Sequence, residues 1–136
     1  MKSLEIKSSD SITSKGKNFI SNELNSCVVS NAARRKICIA CDEMLSNIEK
    51  YAFDGSSGVV TLNVELNEKT NTFEITLIDN GKPFDPMQYI PEEVNPTAKL
   101  NKIGGMGIKL TRGIVDEFSY RYEDNKNILF LAKKVK

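Results

Sequence analysis

The sequence predicts an α+β fold, a two-layer α/β sandwich with a mostly antiparallel mixed sheet. Three observations carry this. Val60, Leu62, Val64 and Leu66 alternate with polar residues, as do Phe73, Ile75 and Leu77, and Asn67 to Asn71 lies between them as a hairpin turn. Ser119 to Glu123 and Ile128 to Ala132 form a second such pair, turning at Asp124 to Asn127. Stretches with apolar residues at three- and four-residue steps precede and separate these hairpins. Strands that meet in hairpins with helices between them favour a helix layer on one sheet over a doubly wound parallel fold. A chain of 136 residues is one domain, residues 1–136, with room for a real core.

The elements follow in order. Leu4 and Ile6 alternate with polar neighbours and predict a short first strand. Ser11 to Leu24, with Ile12, Phe19, Ile20 and Leu24, reads as a first helix. Ser30 or Asn31 can cap a longer helix carrying Ile37, Ala40, Cys41, Met44, Leu45, Ile48 and Ala52 on one face. The breaker cluster from Asp54 to Gly58 ends it. After the first hairpin comes an irregular stretch from Gly81 to Ile103, containing Pro83, Pro86, Pro91 and Pro96. A loop of that length inside a compact domain is usually functional or mobile. A helix from about Gly105 to Glu117 follows, its apolar face drawn from Leu110, Ile114, Val115 and Phe118.

Three short strings carry the chemistry. Asp79 shares the parity of Phe73, Ile75 and Leu77, so it faces the apolar side at the strand's end. A buried carboxylate needs hydrogen-bond donors. An adenine amino group is one candidate; the turn at Asn80-Gly81, capped by the aspartate itself, is the other. Gly81 permits close approach or a positive φ. Gly104-Gly105-Met106-Gly107 places amides without bulky side chains where a helix begins, a position that suits polyphosphate but also suits a plain loop. It is neither a Walker motif nor a dinucleotide fingerprint. Glu43 and Asn47 are one helical turn apart and face the same way, and Lys50 continues that polar strip. An Asn carbonyl with phosphate oxygens can hold magnesium, and a neighbouring Glu can accept a proton from an attacking hydroxyl. Alone, the strip is also compatible with a solvated helix face. Together the strings supply a base, a metal ligand, a base-reading carboxylate and a phosphate cradle.

With those residues laid out, the chain resembles the GHKL ATPase superfamily, whose histidine-kinase-like domain has the Bergerat fold, and within it the anti-sigma factor serine/threonine kinases. Cys41 to Phe53 matches the N-box helix of the superfamily. Asp79 to Pro86 matches the kinases' variant of the next box, and Asn95-Pro96-Thr97 with Ile103 to Ile108 matches the end of the lid and the last box. The resemblance implies Glu43 as catalytic base and Asn47 as magnesium ligand. It implies Asp79 as the adenine reader, with Gly81, Pro83 and Lys50 among the binding residues, and Gly104, Gly105, Met106 and Gly107 at the phosphates. Residues Phe84 to Ile103 would be a lid over ATP. It further implies a cytoplasmic homodimer that holds a sigma factor inactive and phosphorylates a serine or threonine of an anti-sigma factor antagonist. Two departures stand out: Tyr51 occupies a position where the kinases often have histidine, and Ile128-Leu129-Phe130-Leu131 lacks the hydroxyl that many relatives place near adenine.

Composition removes competing functions. There is no histidine, so histidine general-base chemistry, Ser-His-Asp hydrolysis and phosphohistidine formation within the chain are excluded. The formal charge is +1 with no clustered basic face, which disfavours direct nucleic-acid binding. No apolar run approaches a membrane span and no signal-peptide pattern opens the chain, so a soluble intracellular protein is expected. Cys38-x-x-Cys41 sits inside the long helical pattern, without a second Cys pair or any histidine to complete a zinc site. Two further functions stay open: a nucleotide-dependent binding module without chemistry, and the ATPase half of a split histidine kinase.

Overall fold

The computed structural model describes residues 1–85 and 103–136, with only the backbone of 103–106. Pro86, Pro91, the Asn95-Pro96-Thr97 segment and most of the expected lid lie outside the described residues. Strand β1 (Lys2–Lys7) is followed by helices α1 (Ile12–Asn25) and α2 (Asn31–Tyr51), then by strands β2 (Val59–Asn67) and β3 (Thr72–Asp79). Helix α3 (Ile103–Ile114), β4 (Glu117–Glu123) and β5 (Lys126–Lys134) complete the described elements. The sheet order is β1-β2-β3-β5-β4, and all four pairings are antiparallel, so the sheet is not mixed among the described strands.

Register explains the core. Leu62, Leu77 and Leu129 line up across three strands, and Val64, Ile75 and Leu131 form the next row. All six are buried. The intervening residues Thr61, Asn63, Glu74 and Thr76 occupy the opposite face, as period-two alternation requires. Ile12, Ile20 and Leu24 of α1 and Ile37, Ala40, Met44 and Leu45 of α2 close over the apolar rows. Each fully buried Leu or Ile contributes about 1.5–3 kcal/mol.

Local chemistry sets the helix ends and spacing. The Ser30 side chain accepts the Ala33 amide at 3.1 Å and caps α2. Gly16 lets α1 approach α2 closely; a Cβ there would lie 2.7 Å from Leu45 Cδ1. Leu45 is fully buried at this crossing. Leu45→Ala is expected to lower unfolding free energy by about 2–5 kcal/mol in a denaturant titration, since the well-packed site can collapse only partly.

Two sequence expectations need correction. Helix α3 starts at Ile103 and stops at Ile114, three residues earlier than expected. The chain is then pinned to β5, with the Asp116 amide donating to Ala132 O at 2.8 Å and Asp116 Oδ2 accepting the Lys134 amide at 2.7 Å. Phe118 therefore belongs to β4. The buried face of α3 carries Ile108 and Thr111, whereas Leu110 is 47% exposed. The second hairpin is also tighter than expected. Asp124 and Asn125 both have positive φ, 53° and 61°, which is the conformation of a two-residue turn matched to strand twist. Asn127 thereby joins β5. No helix among the described residues is long and apolar enough to cross a membrane.

Candidate active site

An open cleft lies between the C-terminal half of α2, the end of β3, the start of β5 and α3. Met44, Ile48, Ile108 and Leu129 give it apolar walls, while Asn47, Asp79, Tyr120 and Asn127 place polar groups in it. Tyr51, Lys82 and Phe84 also line it. An apolar hollow with a few convergent polar groups is the usual form of a small-molecule site.

Asp79 is where parity predicted. It is the last residue of β3, paired with Val60 on one side and Asn127 on the other, and only 5% exposed. Its Oδ1 accepts the Gly81 amide and Asn127 Nδ2, each at 2.9 Å. The turn-capping role is thus real, and it coexists with a place in the cleft. Among the described residues no donor bonds Oδ2. Burial pushes the Asp79 carboxyl above its ordinary value, and the donors from Asn127 and Gly81 offset part of that push. The result is a carboxylate in an apolar wall with one oxygen left to accept from a ligand donor.

Asn127 carries no signal in the sequence, because it falls inside the expected turn. In the structure its Nδ2 also donates to Lys82 O at 2.9 Å, and its Oδ1 accepts the Phe84 amide at 3.1 Å and the Tyr120 hydroxyl. The strand that lacks a hydroxyl near Asp79 therefore supplies a carboxamide, one residue before Ile128. Burial pushes the Tyr120 hydroxyl pKa up, so it stays a donor at neutral pH.

The other strings converge at the far side. Asn47 lines the cleft; Glu43, one turn earlier on α2, is half-buried and lies against Gly107 of α3. A Cβ at Gly107 would overlap the Glu43 carboxylate, falling 2.8 Å from its Cδ. Any side chain at this position would have to displace the carboxylate. Gly104, Gly105, Met106 and Gly107 lie inside the first turns of α3, not before it. A helix's unpaired amides and positive dipole end belong to that first turn, so the backbone remains suited to an anion.

Three expected residues take other places. Gly81 is absent from the lining; a Cβ there would lie 2.7 Å from Ala52 Cβ and would overlap the Ala52 carbonyl. It packs the strand end onto the end of α2, where the Lys82 amide donates to Ala52 O at 2.9 Å. Lys50 is exposed on the last turn of α2 and does not line the cleft; Tyr51 takes that position. Pro83 is exposed too, while its neighbours Lys82 and Phe84 reach the cleft. Cys41 is buried among the core side chains and burial pushes its thiol well up, the opposite of a reactive cysteine.

The donor set fits a nucleotide with magnesium: an acceptor oxygen in an apolar slot, a hard amide oxygen at Asn47, and a glycine-lined helix start beside a carboxylate.

Comparison with known proteins agrees with the fold. Residues 16–133 match the family described as the histidine kinase-like ATPase domain. Over 96 residues the chain is 29% identical to the serine-protein kinase RsbW of Listeria innocua, covering 67% of this chain and 60% of that protein. The serine/threonine-protein kinase BtrW of Bordetella bronchiseptica is 26% identical over 99 residues, covering 73% and 69%. The matched part thus spans about 60% of the length of the Listeria relative. Among solved structures, the catalytic domain of histidine kinase ThkA superposes with TM-score 0.60 at 12% identity over 99% of both chains. The histidine kinase domain of the Erythrobacter litoralis blue-light activated histidine kinase gives 0.56 at 20% identity, covering 76% of this chain and 45% of that one. By the extent of its family match, supported by these folds, the chain belongs to the histidine kinase-like ATPase domain family.

Proposed function

We propose that the chain is an ATP- and magnesium-dependent protein serine/threonine kinase of the anti-sigma type. It phosphorylates a serine or threonine of an anti-sigma factor antagonist and sequesters a sigma factor, thereby regulating transcription as a cytoplasmic homodimer. The observation that carries the reading is the seating of Glu43 against Gly107, one turn from Asn47. This sets a proton acceptor beside the glycine-lined helix start, which an ATP-binding module without chemistry would not need. The kinase names of the similar proteins support it.

In this reading Asp79 Oδ2 accepts the adenine amino group, and the apolar walls hold the ring. The first turn of α3 offers its amides to the phosphates. Asn47 would hold magnesium through its amide oxygen, and the ion when bound neutralises charge on the phosphate oxygens. The acceptor hydroxyl attacks the γ-phosphorus; its O–P bond forms as the bond to the β–γ bridging oxygen breaks, and ADP leaves. Glu43 takes the hydroxyl proton. Catalysis is chiefly positioning and charge stabilisation.

Incubating the protein with γ-labelled ATP and a candidate antagonist tests this. Acid-stable label on the antagonist is expected; nucleotide binding without transfer would leave a binding module, and acid-labile label would point to a histidine acceptor. A finer prediction concerns Gly107→Ala. The new methyl displaces the Glu43 carboxylate, so transfer should fall about ten- to a hundredfold. Helix stability should not fall, because alanine is favoured over glycine inside a helix by about 1 kcal/mol. Paired rate and melting measurements check both signs.

A further inference from the structure

We propose that Asn127 is a positioning residue that makes the cleft selective for purines carrying a 6-amino group, by fixing Asp79 with one carboxylate oxygen turned to the ligand; this rests on the nucleotide reading above. Asn127 is 6% exposed and sits directly across the sheet from Asp79. Its orientation is fixed by its partners. Nδ2 faces Asp79 Oδ1 and Lys82 O, which only accept; Oδ1 faces the Phe84 amide and is bonded by the Tyr120 hydroxyl. A flipped carboxamide would set oxygen against carboxylate and amine against amide hydrogen, so the network admits one arrangement.

That arrangement has a consequence for the ligand. Oδ1 of Asp79 holds two donors, from Gly81 and Asn127, and rotation of the carboxylate would break both bonds. Oδ2 therefore faces the cleft and, while Asp79 is ionised, can only accept. A 6-amino purine donates to it; a 6-oxo purine sets a lone pair against it, which is rejection by an unpaired polar contact. The same carboxamide ties residues 82–84 to the floor of the cleft, since it binds the Lys82 carbonyl and the Phe84 amide together. Base recognition and the position of the chain leaving β3 are set by one side chain.

The test is a competition titration of the whole chain with ATP and with inosine triphosphate, its 6-oxo counterpart, alongside a melting curve. Wild type should favour ATP by about a hundredfold. Asn127→Ala should lose about tenfold in ATP affinity and change little for inosine triphosphate, so the ratio shrinks about tenfold. Asn127→Asp keeps the volume and guards against a misfolded alanine variant. A carboxylate there sets an oxygen against Asp79 Oδ1 and Lys82 O in place of the Nδ2 donor, so this variant too should lose ATP affinity more than inosine triphosphate affinity, and the ratio should shrink. Parallel loss of both nucleotides, or an unchanged ratio in both variants, would overturn the inference while leaving the nucleotide site standing. Failure of the wild type to bind either nucleotide would overturn the nucleotide reading, and the inference with it.

Discussion

Glu43→Ala is expected to lower phosphoryl transfer by about a hundred- to ten-thousandfold, the range assigned to a positioned general base. ATP affinity should stay within about threefold, because Glu43 lies beyond the residues lining the cleft and acts only as the hydroxyl is deprotonated. The loss therefore appears in kcat, with KM nearly constant. Glu43→Gln is the sharper companion: it keeps the side chain's shape against Gly107 but cannot take a proton, and it should lose nearly as much rate. Single-turnover transfer from labelled ATP measures both. A rate unchanged in both variants would remove Glu43 from the chemistry and leave the chain a nucleotide-binding module.

Asp79→Asn is expected to weaken ATP binding by about a hundred- to a thousandfold, the loss of a charge-assisted bond together with a donor facing a donor. The fold should survive. The new amide oxygen can still accept from Gly81 and Asn127 while its NH2 opens to the cleft, a pattern that also favours a 6-oxo purine. The pH dependence follows from burial, which raises the Asp79 carboxyl above its ordinary value in the folded protein. Protonation is thus easier folded than unfolded. The stability this confers is present below the usual aspartate range and is lost as pH rises through the raised value. At neutral pH the buried charge is a liability to the fold, so Asp79→Asn should raise the melting temperature while weakening binding. Wild-type ATP affinity should fall on acidification, starting above the usual carboxylate range, and that fall should vanish in the variant. Calorimetric titration across pH reads all of this.

The parts of the site that follow from backbone period were legible in the sequence. Parity put Asp79 on the buried face because alternation cannot change within a strand. Helical spacing put Glu43 and Asn47 on one face of α2 for the same kind of reason. The glycines of α3 were legible as a helix start, displaced by about two residues. What escaped was set by tertiary contact. Asn127 looks like turn residue because the sequence does not reveal that Asp124 and Asn125 alone make the turn. Thr111 is fully buried despite its hydroxyl, and Leu110 is exposed despite its side chain, because α3 packs with Ile108 and Thr111 turned to the core. Lys50 shares the strip of Glu43 and Asn47, yet the cleft closes on Ile48 and Tyr51 instead. Gly81 was expected at the base and serves the approach of Ala52. Its glycine is needed, for a different neighbour.

The central claim is that Asp79, Asn47 and the start of α3 bound one nucleotide site. Amide hydrogen exchange of the whole chain with and without ATP and magnesium tests it most directly, because it reports the site residue by residue. Protection is predicted in the second half of α2, in residues 79–85, at the start of β5 and in the first turns of α3, with α1 and β1 unchanged. No protection, or protection confined to α1 and β1, would contradict it.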